Sequence, residues 1–341
     1  MSNLFLLLIG LFSLMSSFSA MSSVGPGTGL AQLTTAVRDI YSREIFFQAQ
    51  PRLKFAQFAK VRRDFQAIRG GTIVFTKYNN LSGGGEVAED ANINRGSLAS
   101  SEVSISVTEQ GNAVTLTEKL LQLSFQDVMG DASRLLANDL AISIDTMLRD
   151  AALQTPNAMF GDGSTLANVT DFNTATGTTG QFSVETVRSA VEFLSNNNAP
   201  RIQGEYYVCF ATAKQIRQIK SDADWLEVNK YNGRRQIYAG EVGMYDGVIF
   251  IETTQMPSYD TAAEAVAAGW SDVTVNGTQE AVFFGENAYA WGIALDPELR
   301  DDGVNEFGRH HALAWYGIWG AGILEERNII KVLTRNVPHS A

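Results

Sequence analysis

Two strand-like runs separated by a long polar stretch most restrict how this chain can fold. Residues 72–78, TIVFTKY, are rich in β-branched and aromatic residues, and residues 102–108, EVSISVT, alternate between apolar and polar side chains. Between them, residues 79–101 are mainly Gly, Asn, Ser, Ala and acidic residues, with no His, Cys or Pro. Loops this long are uncommon in compact domains and usually serve as lids or partner contacts, or are disordered. The pattern predicts a β-hairpin with an extended tip that carries no evident chemistry.

A long helical pattern follows the hairpin. From Glu118 to about Gln154, apolar residues recur at spacings of three and four, which predicts a helix of up to about 50 Å. We expect a bend at Gly130 and an end at Thr155-Pro156, because the residue before a proline avoids helical geometry. Ahead of this helix, Gln110-Gly111 is typical of a tight turn that leads into another strand.

The second half of the chain predicts a compact α/β module followed by closing strands. Ser183 is a candidate N-cap of a helix that stops before Pro200. The following segments read, in order, as strand, helix, strand and strand up to residue 294. Residues 308–333 add two strand-like runs, whose mixture of Trp, Tyr, Gly and Ala indicates close packing against another part of the structure.

Charge is distributed unevenly along the sequence. The 341 residues include 45% hydrophobic ones and carry a net charge of −11, which is a globular and acidic composition. An acidic total disfavours a protein whose main task is to wrap nucleic acid, but it does not exclude a shell that encloses it. Residues 38–69 nevertheless hold eight basic residues against three acidic ones, a net charge of +5. This segment is interpreted either as a solvated helix face or as an arm that touches an acidic neighbour or nucleic acid.

The first twenty residues resemble a signal peptide in part. An apolar run from Leu4 to Met15 precedes small residues, but no Lys or Arg stands before it, and Met21 opens an ordinary protein start. Three interpretations stay open: an upstream start codon included in error, a working export signal, and a hydrophobic anchor. This segment is therefore kept out of the fold argument.

Reactive side chains are few. The single cysteine, Cys209, lies in an apolar run, which predicts a packed core residue and not a nucleophile. His310 and His311 are adjacent and would point to opposite faces of a strand. A catalytic triad built on either is a minor alternative, since no nucleophile lies in a recognisable turn. The sequence predicts no catalytic residue, no cofactor and no metal site.

The order of these segments resembles that of the major capsid protein of tailed bacteriophages, which has the Hong Kong 97 fold, over about residues 21–335. Residues 69–119 resemble the extended loop and its return strand, and residues 123–153 the spine helix. Residues 240–257 and 281–294 look like axial-domain strands of the subfamily typified by phage N-four, and residues 310–334 like the final strands of the peripheral domain.

This resemblance implies an α+β fold with an N-terminal arm, an extended β-hairpin loop, a long spine helix, a peripheral domain and an axial α/β domain. The implied segments are the signal-like or mis-started residues 1–20, the arm at 21–69, the hairpin at 70–117, the spine helix and peripheral domain at 118–182, the axial domain at 183–295, and the return strands of the peripheral domain at 296–341.

The resemblance also implies a structural function without enzymatic activity. The chain would assemble in the host cytoplasm into hexamers and pentamers of an icosahedral shell that encloses phage double-stranded DNA without sequence specificity. Portal and decoration proteins would be further partners, and no membrane would be involved. The residues expected to contact a neighbouring subunit from the hairpin are Lys77, Tyr78, Val103, Ile105 and Val107, and the basic residues expected on the arm are Arg52, Lys54, Lys60, Arg62 and Arg63.

Three other functions stay open at this point. An encapsulin-type compartment would use the same fold to store an enzyme, and its cargo would distinguish it. A secreted surface protein would account for residues 1–20. A hydrolase with a loop lid would need His310 or His311 in its active site.

Overall fold

The computed structural model describes residues 53–64, 71–78, 97–124, 127–164, 169–174, 179–222, 225 and 241–336. These residues fall into two compact units. The described part of the smaller unit is formed by Gly111–Asn138 and Glu298–Tyr316, without residues 125 and 126, and the larger unit contains the rest. Residues 1–20, Arg52 and the hairpin tip at residues 79–96 lie outside the described residues, and so do the expectations placed on them.

The described chain mixes helices and strands. The strands are β1 (Lys60–Arg63), β2 (Thr72–Tyr78), β3 (Ser100–Ser106), β4 (Thr108–Thr117), β5 (Ala158–Phe160), β6 (Tyr207–Ala211), β7 (Glu241–Tyr245), β8 (Val248–Glu252), β9 (Ser258–Tyr259), β10 (Thr278–Phe284), β11 (Tyr289–Asn305), β12 (His310–Ile323) and β13 (Ile329–Arg335). The α-helices are α1 (Glu118–Leu123), α2 (Val128–Leu153), α3 (Val169–Thr174), α4 (Val184–Asn196), α5 (Ala213–Lys220) and α6 (Ala262–Ala267). Single 3-10 turns occupy Phe55–Gln57, Glu306–Gly308 and Glu326–Asn328.

A seven-stranded mixed sheet forms the centre of the larger unit. Its order is β5-β13-β10-β6-β8-β7, and β9 pairs with β10 beside this path. Strands β6 and β10 are buried along their whole length. Strands covered on both faces read as continuous apolar runs, which explains the composition of YVCFA in β6. Cys209 is fully buried in this strand, as its sequence context predicted.

Helix α4 covers this sheet in the way its sequence predicted. Ser183 caps the helix and forms a capping box with Thr186. Val184, Val187 and Leu194 are buried in the same core as residues of β6, β8 and β10. Ser183 therefore fixes where the helix starts, and the buried side chains fix which face of the helix packs on the sheet.

The predicted single helix at residues 118–154 is two helices. Helix α1 ends at Ser124, which adopts an extended conformation, and α2 begins at Val128. The backbone N–H of Gly130 donates to Oδ1 of Asp127 at 3.0 Å, so Asp127 closes the first turn of α2. The expected bend at Gly130 is thus wrong: the interruption lies before it, because Ser124 and Asp127 favour helix ends. The end of α2 at Leu153, ahead of Pro156, was predicted.

The predicted turn at Gln110-Gly111 is wrong as well. Strand β4 continues through both residues from Thr108 to Thr117. A Cβ atom on Gly111 would lie 2.9 Å from the carbonyl oxygen of Trp315. The glycine is needed for close approach to a neighbouring strand and not for a turn.

Two smaller sheets complete the fold. A four-stranded sheet has the order β1-β11-β12-β4, with β1 parallel to β11. Strands β2 and β3 form a separate two-stranded antiparallel sheet, the hairpin that the sequence predicted. Strand β4, which the sequence placed in the hairpin region, belongs to the four-stranded sheet instead. No helix among the described residues is long and apolar enough to cross a membrane.

Candidate assembly surfaces

The hairpin has a buried face and an open one. Ile73 pairs with Ile105 and Phe75 with Val103 across the two strands. The side chains of Ile73, Phe75 and Ile105 are buried in one cluster with Ala290 and Ala294 of β11. Most residues between them, which point to the other face, are exposed. The inward face of the hairpin therefore packs on the chain to which it belongs.

Glycines on β11 and β12 allow this close packing. A Cβ atom on Gly292 would lie 2.9 Å from Cδ1 of Ile73, and one on Gly320 would overlap the carbonyl oxygen of Ser106. The small residues of the closing strands had indicated close packing against another part of the structure. That part is the hairpin.

The two valines and the isoleucine expected at a subunit contact, Val103, Ile105 and Val107, share one face, as their alternation predicted. Ile105 is only 3% exposed, and Val103 and Val107 pack against the same cluster while keeping partial exposure. Burial within the chain accounts for their apolar character, so no neighbour is required to cover Ile105. Their contact with a neighbouring copy stays a prediction.

Lys77 and Tyr78 end strand β2 in different environments. Lys77 forms an ion pair with Glu325, which also accepts from Nε of Arg327 at 2.6 Å. Partial burial alone would raise the pKa of the Glu325 carboxyl, but the hydrogen bonds from Lys77 and Arg327 lower it. Tyr78 is 65% exposed, and Leu98, just ahead of β3, is 71% exposed. The ion pair fixes the end of β2. The exposed side chains of Tyr78 and Leu98 can contact a partner.

The described basic residues of the arm lie on or near β1. Lys54 donates through Nζ to the carbonyl of Glu252. Arg62 donates to the carbonyl of Val74, and Arg63 forms an exposed ion pair with Asp296 at 3.1 Å. Lys60 is exposed. Their expected role on the inner arm stays a prediction, and Arg52 lies outside the described residues.

Asp145 of α2 holds the chain just before β1, which sequence reasoning missed. Its Oδ1 accepts from the backbone N–H groups of Lys54, Phe55 and Ala56 at 3.0, 2.8 and 3.4 Å. The Tyr289 hydroxyl donates to the carbonyl of Phe55 at 2.7 Å. Burial raises the pKa of the Asp145 carboxyl, and the three backbone hydrogen bonds oppose this shift only in part. The available signal was a carboxylate next to Ile144 within the apolar stripe of a helix.

A second buried carboxylate lies in the larger unit. Glu280 of β10 accepts from Nε1 of Trp270 and from the Tyr259 hydroxyl. Nζ of Lys331 lies 5.0 Å from the centre of the Trp270 ring. Burial raises the pKa of Glu280, and it lowers the pKa of Lys331. These groups satisfy one another within the core, so they act as a structural network.

The remaining reactive side chains do not form a catalytic arrangement among the described residues. Burial raises the pKa of the Cys209 thiol well above its usual value, which suppresses the thiolate needed for nucleophilic attack. Nε2 of His310 lies 3.2 Å from the Glu306 carboxylate, a pair formed within one turn of the chain. In the described part of the chain, no group of three or more His, Cys, Asp or Glu residues is placed to hold a metal ion.

Comparison with known proteins identifies one family. The model of the phage capsid protein family matches residues 143–313. No curated protein sequence matches the chain. Among solved structures, the capsid asymmetric unit of cyanophage Pam1 aligns with a TM-score of 0.67 at 16% identity, over 89% of this chain and 97% of that one.

Two further structures align over most of their length. The capsid of cyanophage P-SCSP1u has a TM-score of 0.64 at 17% identity, covering 92% of this chain and 96% of that chain. The head structure of Helicobacter pylori bacteriophage KHP40 has a TM-score of 0.65 at 13% identity, covering 91% and 97%. At these identities the likeness concerns the fold, which is the α+β capsid fold expected from the order of segments.

Proposed function

This chain belongs to the phage capsid protein family and is a structural component of the capsid, and from this membership we propose that its copies form the hexamers and pentamers of a closed icosahedral shell. The virion is accordingly where it acts. Assembly in the host cytoplasm, with portal and decoration proteins as later partners, is part of the same proposal.

The observation that carries the proposal is the hairpin β2–β3. Its described strands are fixed by the buried cluster around Ile73 and by the ion pair of Lys77 with Glu325. Tyr78 at the end of β2 and Leu98 just ahead of β3 are exposed. Tyrosine is enriched among the residues that anchor protein interfaces, and exposed aliphatic side chains beside it add apolar surface that a partner can bury. We assign to these two residues, with the exposed edges of Val103 and Val107, the contact with a neighbouring copy.

A contact of this kind suits a ring. When each subunit offers one surface to the next and receives a different surface from the previous one, the contact is heterologous and closes if the rotation divides the circle. Permanent interfaces commonly bury roughly 2,000 Å² or more, and a subunit in a shell can share that area among several neighbours.

We propose that double-stranded DNA is enclosed without sequence-specific contacts. The basic segment at residues 38–69 supports this, since Lys and Arg neutralise phosphates regardless of sequence. The same segment could instead meet acidic protein surfaces, and the salt dependence of DNA retention separates the two.

The proposal includes the absence of catalysis. Activity of the purified chain on ester or glycoside substrates that disappears in a His310→Ala variant would contradict it. No observation favours the secreted surface protein.

The direct test is negative-stain microscopy of the purified full chain together with nuclease protection of particles from infected cells. The expected result is closed particles that protect double-stranded DNA. A chain that stays monomeric at high concentration would contradict the proposal, and particles filled with an enzyme would indicate the encapsulin-type compartment.

A further inference from the structure

The tip between β11 and β12 presents a fully exposed aromatic side chain. Phe307 has no shielding from the rest of the described chain. Leu299, on the same hairpin, is also exposed. Exposing a phenylalanine to water is unfavourable in proportion to its apolar surface unless a partner covers it.

The tip is held in an uncommon conformation. Glu306, Phe307 and Gly308 have φ values of 49°, 58° and 94°, all in the left-handed region. This region is unfavourable for an L-residue such as phenylalanine, because its Cβ atom comes too close to the following carbonyl oxygen. The carbonyl of Arg309 accepts from the backbone N–H of Glu118 at 2.9 Å, and Glu306 pairs with His310. These contacts brace the tip, so the exposed ring sits on a fixed support.

The charge of the residues around the tip indicates which kind of partner can bind there. Residues 298–309 hold four acidic residues against two basic ones, a net charge of −2. Such a surface is repelled by nucleic acid and attracted by a basic protein surface. The chain itself supplies one. Strand β1 reads Lys-Val-Arg-Arg, is exposed throughout and includes Val61 at 41% exposure. The tip offers acidic and apolar side chains, and β1 offers basic and apolar ones. The two surfaces are therefore complementary.

We propose that the end of the β11–β12 hairpin, residues 298–309, docks on strand β1 of a second copy of this chain, with Phe307 covering Val61 and the acidic residues of this end, among them Asp301, facing Lys60. This inference rests on the proposed self-assembly and names one of its contacts, which is separate from the hairpin β2–β3. It gives each subunit two distinct surfaces to offer, one at Tyr78 and one at Phe307.

A site-specific photo-crosslink tests which surface Phe307 touches. The substitution Phe307→p-benzoylphenylalanine is made in the full chain, and copies labelled with 15N are mixed with unlabelled ones before assembly. We expect crosslinked peptide pairs with one labelled and one unlabelled member, the partner peptide containing Lys60 or Val61. Pairs formed only within one copy, pairs with another surface, or crosslinks to DNA would each overturn the proposal.

Two sets of variants test the contact without the crosslinker. Phe307→Ala should raise the concentration needed for assembly about tenfold or more, as truncation of a central aromatic anchor does. Val266→Ala, which shortens another exposed apolar side chain, is the matched control and should leave assembly unchanged. Asp301→Lys and Lys60→Glu should each weaken assembly, and the double variant should recover it.

A failure of the tip contact can be distinguished from a failure of self-assembly. If the unmodified chain forms no assemblies, self-assembly and the tip contact both fail. If the unmodified chain and Phe307→Ala assemble at the same concentration, or if the double charge variant shows no recovery, only the tip contact fails. Circular dichroism of each variant verifies that the monomer is folded.

Discussion

Individual side chains in this protein divide between those that stabilise the subunit and those open to a partner. Ile105 belongs to the first group, because it is buried against Ala290 and Ala294 of its own chain. Tyr78 and Phe307 belong to the second. The sequence could group Val103, Ile105 and Val107 on one face, but alternation cannot say which surface covers that face. Asp145 was missed because a carboxylate beside an apolar stripe does not reveal hydrogen-bond partners about ninety positions away.

Shortening Ile105 separates these two roles. We expect Ile105→Ala to destabilise the dissociated subunit by about 2–4 kcal/mol, because it opens a cavity in the cluster under the hairpin. Urea unfolding measures this loss. The control Tyr78→Ala should leave subunit stability nearly unchanged. Equal stability of Ile105→Ala and the unmodified subunit would mean that Ile105 acts only between subunits.

Glu280 should make subunit stability depend on pH. Burial raises its pKa in the folded state, so ionisation is less favourable there than in the unfolded chain. Its contribution to stability is therefore greatest below the unfolded pKa and declines as pH rises through the folded pKa. Glu280→Gln has no such ionisation, so its stability relative to the unmodified subunit should improve between pH 4 and pH 7. A relative stability that falls over this range would contradict the assignment.

The elements were predictable where local signals agreed with the tertiary structure. The bounds of β2 at residues 72–78 and the capped start of α4 after Ser183 follow from alternation and capping residues. Gly111 and Gly130 were misread, because a glycine in a sequence does not show whether it permits a turn, a bend or a close neighbour. Gly292, Gly320 and Gly322 belong to this last kind, and only the structure identifies the hairpin as their neighbour.

Adding a methyl group at two of these glycines should give a graded effect. A Cβ atom on Gly320 would overlap the carbonyl oxygen of Ser106, whereas one on Gly322 would lie 3.1 Å from Cγ1 of Ile105. We expect Gly320→Ala to destabilise the subunit by roughly 1–3 kcal/mol through overpacking and Gly322→Ala to cost less. Limited proteolysis of the hairpin and urea unfolding measure both. The reverse order would show that the hairpin is not packed against Gly320.

At the scale of the whole molecule, function follows from family membership and from surfaces that remain uncovered. The family model matches residues 143–313, which include the C-terminal part of α2, every strand of the central sheet except β13, and β11, but not the hairpin. The order of segments allowed the α+β capsid fold to be predicted from sequence. The proposed contact at Phe307 was not predictable in the same way, because it depends on exposure. Phe307 lies in a short polar segment of the sequence, which does not indicate that its ring is exposed.

Removing the apolar end of the hairpin should weaken assembly without unfolding the subunit. We expect the double variant Tyr78→Ser and Leu98→Ser to assemble only at a concentration at least about tenfold higher, because two exposed anchors are lost. Sedimentation velocity over a dilution series measures this. The matched control Leu135→Ser changes an exposed leucine of α2. Unchanged assembly of the double variant would exclude this end of the hairpin as a contact.

The attachment of residues 54–56 to Asp145 creates a fixed origin for anything joined upstream of it. A fully extended polypeptide spans at most about 3.3–3.6 Å per residue. The length of an upstream fusion therefore sets the radius that a tethered fluorophore or enzyme can sweep from α2. The choice of that length would set the largest distance between a payload and its subunit.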